Sequence, residues 1–294
     1  SFVSRGLGDV YKRQTLNTWM IIGMFLWDLI LKYNLFWGSM KEAFNNEVIY
    51  ITGATAGIGF ASAELLLKKG ATVVITGRNN ENLSNAQKKL HKISSNVIAH
   101  NIDVSNESEI VESLQSVYSS CGKIDGLINN APSIHVGKIV DLDLAAWKTN
   151  FKANLDAVFL TTKTVLPWMI DAKKGSIVNV ASVVGLKGVE YMSAYGAAKA
   201  GLINFSRASA VEGAPYVRVN SIVPGAVDTP ATKRAIPDDD IMANTIKTIP
   251  LKRIAEPIEI ANPIAFLLSS DASFVTGASL VVDGGKTADL NAGN

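Results

Sequence analysis

The sequence predicts a doubly wound α/β fold: a parallel seven-stranded sheet with helices on both faces, in a single domain. Three observations predict it. From Glu47 onward, short apolar runs rich in β-branched residues alternate with amphipathic stretches of helical length. Those runs are apolar at nearly every position, as in strands buried on both faces of a parallel sheet. A glycine-rich turn, "TGATAGIG" (52–59), then joins the first run to the first helical stretch. Alternating strands and helices of this kind wind right-handed crossovers onto both faces of one sheet.

Taken in order, the strand candidates are "VIYIT" (48–52), "TVVIT" (72–76), "NVIAHNI" (96–102), "DGLIN" (125–129), "SIVNVA" (176–181), "VRVNSIV" (217–223) and "SLVVD" (279–283). Helices are expected near 58–69, 80–92, 106–120, 143–171, 194–212 and 257–270. No repeat or low-complexity segment interrupts this series. The stretch 224–256, with Pro224, Pro230, Pro237, Pro250 and Pro257 in or beside it, reads as irregular. A loop that long in a compact domain is usually functional.

Bulk composition excludes several classes. The chain has 294 residues, 48% hydrophobic and 18% charged, enough to bury a large core and too apolar for disorder. Its net charge of +2 balances 28 basic against 26 acidic residues, without a Lys/Arg stripe, so no nucleic-acid partner is expected. Cys121 is the sole cysteine, which forbids an internal disulfide and fits a reducing compartment. His91, His100 and His135 have no metal-ligand spacing, so no metal is expected; His135 is kept as a candidate to face substrate.

The first residues differ from the rest. Residues 1–39 read as a leader of doubtful origin and 40–294 as the domain. The uninterrupted apolar part, Trp19 to Trp27, falls short of the roughly 20 residues a bilayer span needs. Extending it to Trp37 places Asp28 near mid-membrane. Three readings stay open: a translated or artefactual leader before a natural start at Met40, a membrane anchor formed by 16–37, or an extra packed helix. The first implies a cytoplasmic protein; the second, a membrane-anchored one.

In the glycine turn, Gly53, Gly57 and Gly59 stand between strand and helix. Glycine there allows backbone amides to approach an anion, and the helix presents its positive N-terminus to the same point. The end of the second strand of such folds reads the adenosine ribose, where a carboxylate suits NAD and a base suits the 2′-phosphate of NADP. Here it reads "ITGRN": Arg78 and no carboxylate, which favours NADP(H) over NAD(H).

"YMSAYGAAKAG" places Tyr195 and Lys199 four residues apart among small side chains. On a helix they share a face. A ketone accepting hydride needs a proton on its developing alkoxide, and an ordinary phenol, with a pKa of about 10, holds its proton too tightly near neutrality. A neighbouring cation is expected to lower that value.

Together these motifs make the chain resemble the short-chain dehydrogenase/reductases over about residues 44 to 285. The resemblance implies a Rossmann-type sheet and a catalytic set of Asn154, Ser182, Tyr195 and Lys199, with Ser182 and Tyr195 at the family's usual separation. Ser182 would bond the substrate oxygen, Lys199 the nicotinamide ribose, and Asn154 a water leading to Lys199. The cofactor residues implied are Gly53, Thr55, Gly57, Ile58 and Gly59 in the turn, Arg78, Asp103 and Val104 in "NIDV", Asn130 in "NNAP", Tyr195 and Lys199, and Val227 and Thr229 in "PGAVDTP". Pro132 replaces the glycine usual in the third of these motifs, and Ala56 stands where many NADP-preferring members carry a base.

The function expected is an NAD(P)(H)-dependent oxidoreductase interconverting a ketone and a secondary alcohol, with the proton from Tyr195. The end of the domain looks most like bacterial 3-oxoacyl-carrier-protein reductases and their sugar- and alcohol-oxidising relatives. Two alternatives are a membrane-anchored reductase of a lipid-soluble carbonyl and a non-catalytic nucleotide-binding scaffold; the scaffold is disfavoured by retention of Ser182, Tyr195 and Lys199. The partners implied are a small-molecule substrate and further copies of the chain, as a homodimer or homotetramer.

Overall fold

The computed structural model describes residues 43–289, apart from Pro237. Seven parallel strands run in the order β3-β2-β1-β4-β5-β6-β7. They are β1 (Val48–Ile51), β2 (Thr72–Gly77), β3 (Val97–Asn101), β4 (Gly126–Asn129), β5 (Gly175–Val180), β6 (Val217–Pro224) and β7 (Ser279–Val282). The order reverses between β1 and β4, which sets a crevice at the carboxyl ends of those strands.

Strand alternation divides the core into two layers. Ile49, Ile51, Val73 and Ile75 meet α1 (Gly57–Lys68), α2 (Asn80–His91) and α9 (Pro257–Leu268), through Leu66, Leu90 and Ile264. Val48, Tyr50 and Val74 meet α3 (Glu107–Cys121), α5 (Ala157–Asp171) and α6 (Ser193–Gly213), through Leu114, Val165 and Ala210. Phe44, 1% exposed, belongs to the first layer. Among the described residues no helix is long and apolar enough to cross a membrane. The apolar segment 16–37 lies outside the described residues.

Two expectations need correction. The helix expected over 143–171 is α4 (Leu144–Phe151), a π-helical turn (Lys152–Asp156), and then α5. The Asn154 side chain donates to the Asn150 carbonyl at 2.8 Å, the acceptor its own amide would use in an α-helix. The ladder widens by one residue, and the Ala157 amide bonds Lys152. The stretch 224–256 is not irregular throughout, since it holds α7 (Pro230–Ala235) and α8 (Asp239–Lys247). Thr229 and Asp238 cap them, each accepting from first-turn amides.

A buried polar chain ties the second layer to the sheet. The Thr161 hydroxyl donates to Asn129 Oδ1 (2.7 Å), Asn129 Nδ2 to Asn179 Oδ1 (2.8 Å), Asn179 Nδ2 to Ser206 Oγ (2.8 Å), and Ser206 to the Leu202 carbonyl (2.7 Å). It links α5 to α6 through β4 and β5. Asn129→Leu strands Asn179 Oδ1 without a donor, so the domain should lose about 1–3 kcal/mol in chemical denaturation; an unchanged midpoint would contradict this reading of the chain.

Candidate active site

The crevice is a cleft of about 1140 Å3 lined by the segments that follow the strands. Gly53, Thr55, Gly57 and Ile58 follow β1, Arg78 follows β2, and Asp103 and Val104 follow β3. Asn130 follows β4, and Val227 and Thr229 follow β6. Tyr195 and Lys199 reach the cleft from α6. Gly59, Ser182 and Asn154 do not line it.

The turn after β1 must be glycine where it bends. Gly53 has φ +65°, and a Cβ there would lie 2.7 Å from the Ala131 backbone. Asn130 fixes this turn from the next strand: its Nδ2 donates to the Thr52 and Gly53 carbonyls at 3.0 and 2.9 Å. The Asn130 and Ala131 amides both donate to the Thr52 hydroxyl. These anchors precede Pro132, so the amide that proline lacks is not one the turn uses. Gly59 is buried against the same Asn130 side chain.

Tyr195 and Lys199 lie one turn apart, 8% and 3% exposed. The Ser182 hydroxyl lies beside that of Tyr195, near enough to favour its ionised form. The short turn Val183–Gly185 brings it there by packing directly on α6; a Cβ at Gly196 would lie 2.9 Å from the Val184 carbonyl. Lys199 donates from Nζ to the Val180 carbonyl (2.7 Å) and sits 5.6 Å from the centre of the Tyr195 ring.

The electrostatics differ from the sequence expectation. Burial pushes the Tyr195 hydroxyl up to about 12, against the opposing effect of the Ser182 hydroxyl. Burial also pulls Lys199 down to about 7. Lys199 does not lower the tyrosine because desolvation takes away much of its own charge near neutrality, and its ammonium faces a carbonyl rather than the phenol. What the arrangement offers is a protonated phenol at neutral pH, next to a hydroxyl and a lysine that titrates near pH 7.

Asn154 is fully buried, with Nδ2 on the Ser133 carbonyl (2.6 Å) and the Asn150 carbonyl. Its Oδ1 is buried without a hydrogen-bond partner. Asp103 accepts from the Ser105 amide and hydroxyl, both at 2.8 Å. The Ser105 amide holds its carboxyl below the usual range against burial, helped by the Ser105 hydroxyl, Arg78 and Lys152. Thr229 uses its hydroxyl to cap α7. His135 is exposed and stands outside the cleft lining. Among the described residues, no group of three or more His, Cys, Asp or Glu could hold a metal ion.

Sequence reasoning missed Lys89, Lys152 and Arg234, which join Arg78 and Lys199 in the lining, where Asp103 is the one carboxylate among the described residues. Asn82, Asn85 and Lys89 form a polar row down α2 whose helical spacing was a usable signal. Lys152 offered none, because the π-turn that presents it is set by a side chain.

The cleft fits a dinucleotide by size, by the glycine turn at a helix N-terminus and by its cationic lining. Residues 53–287 match the family described as enoyl-(acyl carrier protein) reductase. The chain is 35% identical over 246 residues to a cyclopentanol dehydrogenase of Comamonas sp. (strain NCIMB 9872), covering 83% of this chain and 98% of that one. It is 37% identical over 240 residues to a 3-oxoacyl-(acyl-carrier-protein) reductase FabG of Thermotoga maritima, covering 81% and 97%. The chain is a short-chain dehydrogenase/reductase. It superimposes on the crystal structure of levodione reductase, with TM-score 0.81 and 33% identity over 84% of this chain and 100% of that one. Being a short-chain dehydrogenase/reductase, it is an oxidoreductase of the Rossmann type.

The depressed lysine has a thermodynamic consequence. Unfolded Lys199 binds a proton up to its ordinary value of 10.5, whereas in the folded chain it gives that proton up above about 7. The unfolded state therefore binds more protons between those values, and stability rises with pH across that window. Wild type should gain stability relative to Lys199→Met between pH 7 and pH 10 in paired denaturant titrations. A difference independent of pH would contradict the buried, depressed lysine.

Proposed function

We propose that this short-chain dehydrogenase/reductase interconverts a ketone and a secondary alcohol with NADP(H), using Tyr195 to give or take the proton. The observation that carries the proposal is the buried pair Tyr195 and Lys199, with half-buried Ser182 beside the tyrosine, at the edge of a dinucleotide-sized cleft. When bound, a nicotinamide dinucleotide supplies or takes up the hydride.

The rest is the work of side chains. Ser182 bonds the substrate oxygen and fixes it against the phenol. Tyr195, protonated at neutral pH, donates to the oxygen in the reducing direction. Lys199, poised near pH 7, is the source of the replacement proton, relayed by water because its ammonium is bonded to the Val180 carbonyl. Asn154 holds the wall behind them and offers its unpartnered Oδ1 to a water on that path. In the oxidising direction Tyr195 must first lose a proton held up to about 12, so oxidation should gain from rising pH.

Gly53, Thr55, Gly57, Ile58, Asp103, Val104, Asn130, Val227 and Thr229 would hold the dinucleotide, with Gly59 buttressing the turn. Arg78 is exposed at the end of β2 with no carboxylate beside it in sequence, which supports NADP(H). The likeness to a cyclopentanol dehydrogenase supports a small secondary alcohol or its ketone as substrate. Exposed Phe159 on α5 meets Phe205 of α6 edge-on at 6.3 Å, an apolar face that supports assembly into a dimer or tetramer; a monomer at micromolar concentration by light scattering would count against it.

A panel of ketones followed by NADPH absorbance tests the proposal. Tyr195→Phe should lower turnover by about 10²–10⁴-fold while NADPH still binds. Retention of most of the rate would overturn the role of Tyr195. Wild type should prefer NADPH to NADH, and Arg78→Ala should erase much of that preference; equal kcat/KM with both cofactors in wild type would contradict it.

A further inference from the structure

Asn150 is the one buried residue of α4, and it has no exposed surface. A helix normally seats on its domain through apolar side chains, and a buried amide is costly unless its polar atoms are satisfied. Here all of them are. Asn150 Oδ1 accepts from the His135 amide at 3.2 Å, and Nδ2 donates to the His135 carbonyl at 3.0 Å and the Ala146 carbonyl at 3.1 Å. One turn on, Asn154 Nδ2 donates to the Ser133 carbonyl.

The two asparagines thus pin the backbone at Ser133 and at His135. Ile134 stands between the pinned residues and lines the cleft that holds Tyr195. The pinned segment continues to the loop ahead of α6, where the Gly137 amide donates to the Tyr191 carbonyl at 2.9 Å. Tyr191 itself is held at φ +66°, a conformation that ordinary residues rarely adopt. The segment 133–137 is therefore held at Ser133 by Asn154, at His135 by Asn150 and at Gly137 by the Tyr191 carbonyl.

We propose that Asn150 is a positioning residue for substrate selection: by clamping His135 it sets Ile134 as an apolar wall against the carbon skeleton of the carbonyl substrate. The inference rests on the carbonyl-reductase reading above. Asn150 acts through the loop and touches neither substrate nor the reacting atoms. An aliphatic residue of similar size would seat α4 equally well but could not hold the loop.

The test compares wild type, Asn150→Val and Ile134→Ala with cyclopentanone and with the bulkier acetophenone, using NADPH. Asn150→Val should raise KM for the preferred ketone by about tenfold and shrink the ratio of kcat/KM between the two ketones. NADPH affinity, read by fluorescence, should not change. Ile134→Ala should move the same ratio towards acetophenone. Unchanged discrimination in folded Asn150→Val, or an equal loss of NADPH affinity, would overturn the role of Asn150.

Should Asn150→Val not fold, Asn150→Asp keeps the shape and the acceptor. As a carboxylate it cannot donate to the His135 carbonyl; once protonated it can. Its KM should therefore fall towards the wild-type value as pH is lowered, and a pH profile parallel to wild type would also overturn the proposal. Wild type inactive on every ketone and secondary alcohol of the panel would instead sink the carbonyl-reductase reading, so the two failures are distinct.

Discussion

The site depends on a lysine taken out of water. Lys199 is 3% exposed and gives its ammonium to the Val180 carbonyl, the last residue of β5. Removing a cation from water disfavours its charged form, and the same burial keeps the neighbouring phenol protonated. The same burial therefore moves the two groups in opposite senses: Tyr195 towards holding its proton and Lys199 towards releasing one.

The surrounding fold keeps that burial in place. All strands are parallel, so the carboxyl ends of the sheet deliver the glycine turn, Asn130, Val180 and Val227 to one crest. Behind the crest, Thr161, Asn129, Asn179 and Ser206 join α5 and α6 through two strands, with each group satisfied by the next. Satisfied buried polar chains of this kind specify geometry more sharply than apolar packing does. They fix the helix that carries Tyr195 and Lys199 relative to the segment that carries Asn154.

Much of this was legible in the sequence because it is written in periodicity and spacing. Apolar β-branched runs located every strand to within a residue or two, since burial on both faces leaves little room for polar side chains. The spacing of Tyr195 and Lys199 put them on one helix face, and both line the cleft from α6; their candidacy came from the family resemblance and not from the spacing alone. What stayed hidden depends on side chains bonding to backbone. The π-turn at Lys152 arises because the Asn154 amide takes a carbonyl from the helix ladder. Asn150 looks like any polar helix residue until its buried contacts with His135 are seen. The helices α7 and α8 were masked by prolines that prove to flank or start them. The direction of the Tyr195 shift was misjudged because proximity of charge is visible in sequence and depth of burial is not.

The claim that burial sets the protonation of this pair is tested most directly by titrating Lys199 itself. NMR of the lysine ε-carbons across pH, with the Lys199 signal assigned from its loss in Lys199→Met, should give a midpoint of about 7 for this one residue. A midpoint near the ordinary lysine value of 10.5 would show a fully charged, solvated ammonium and would contradict the account.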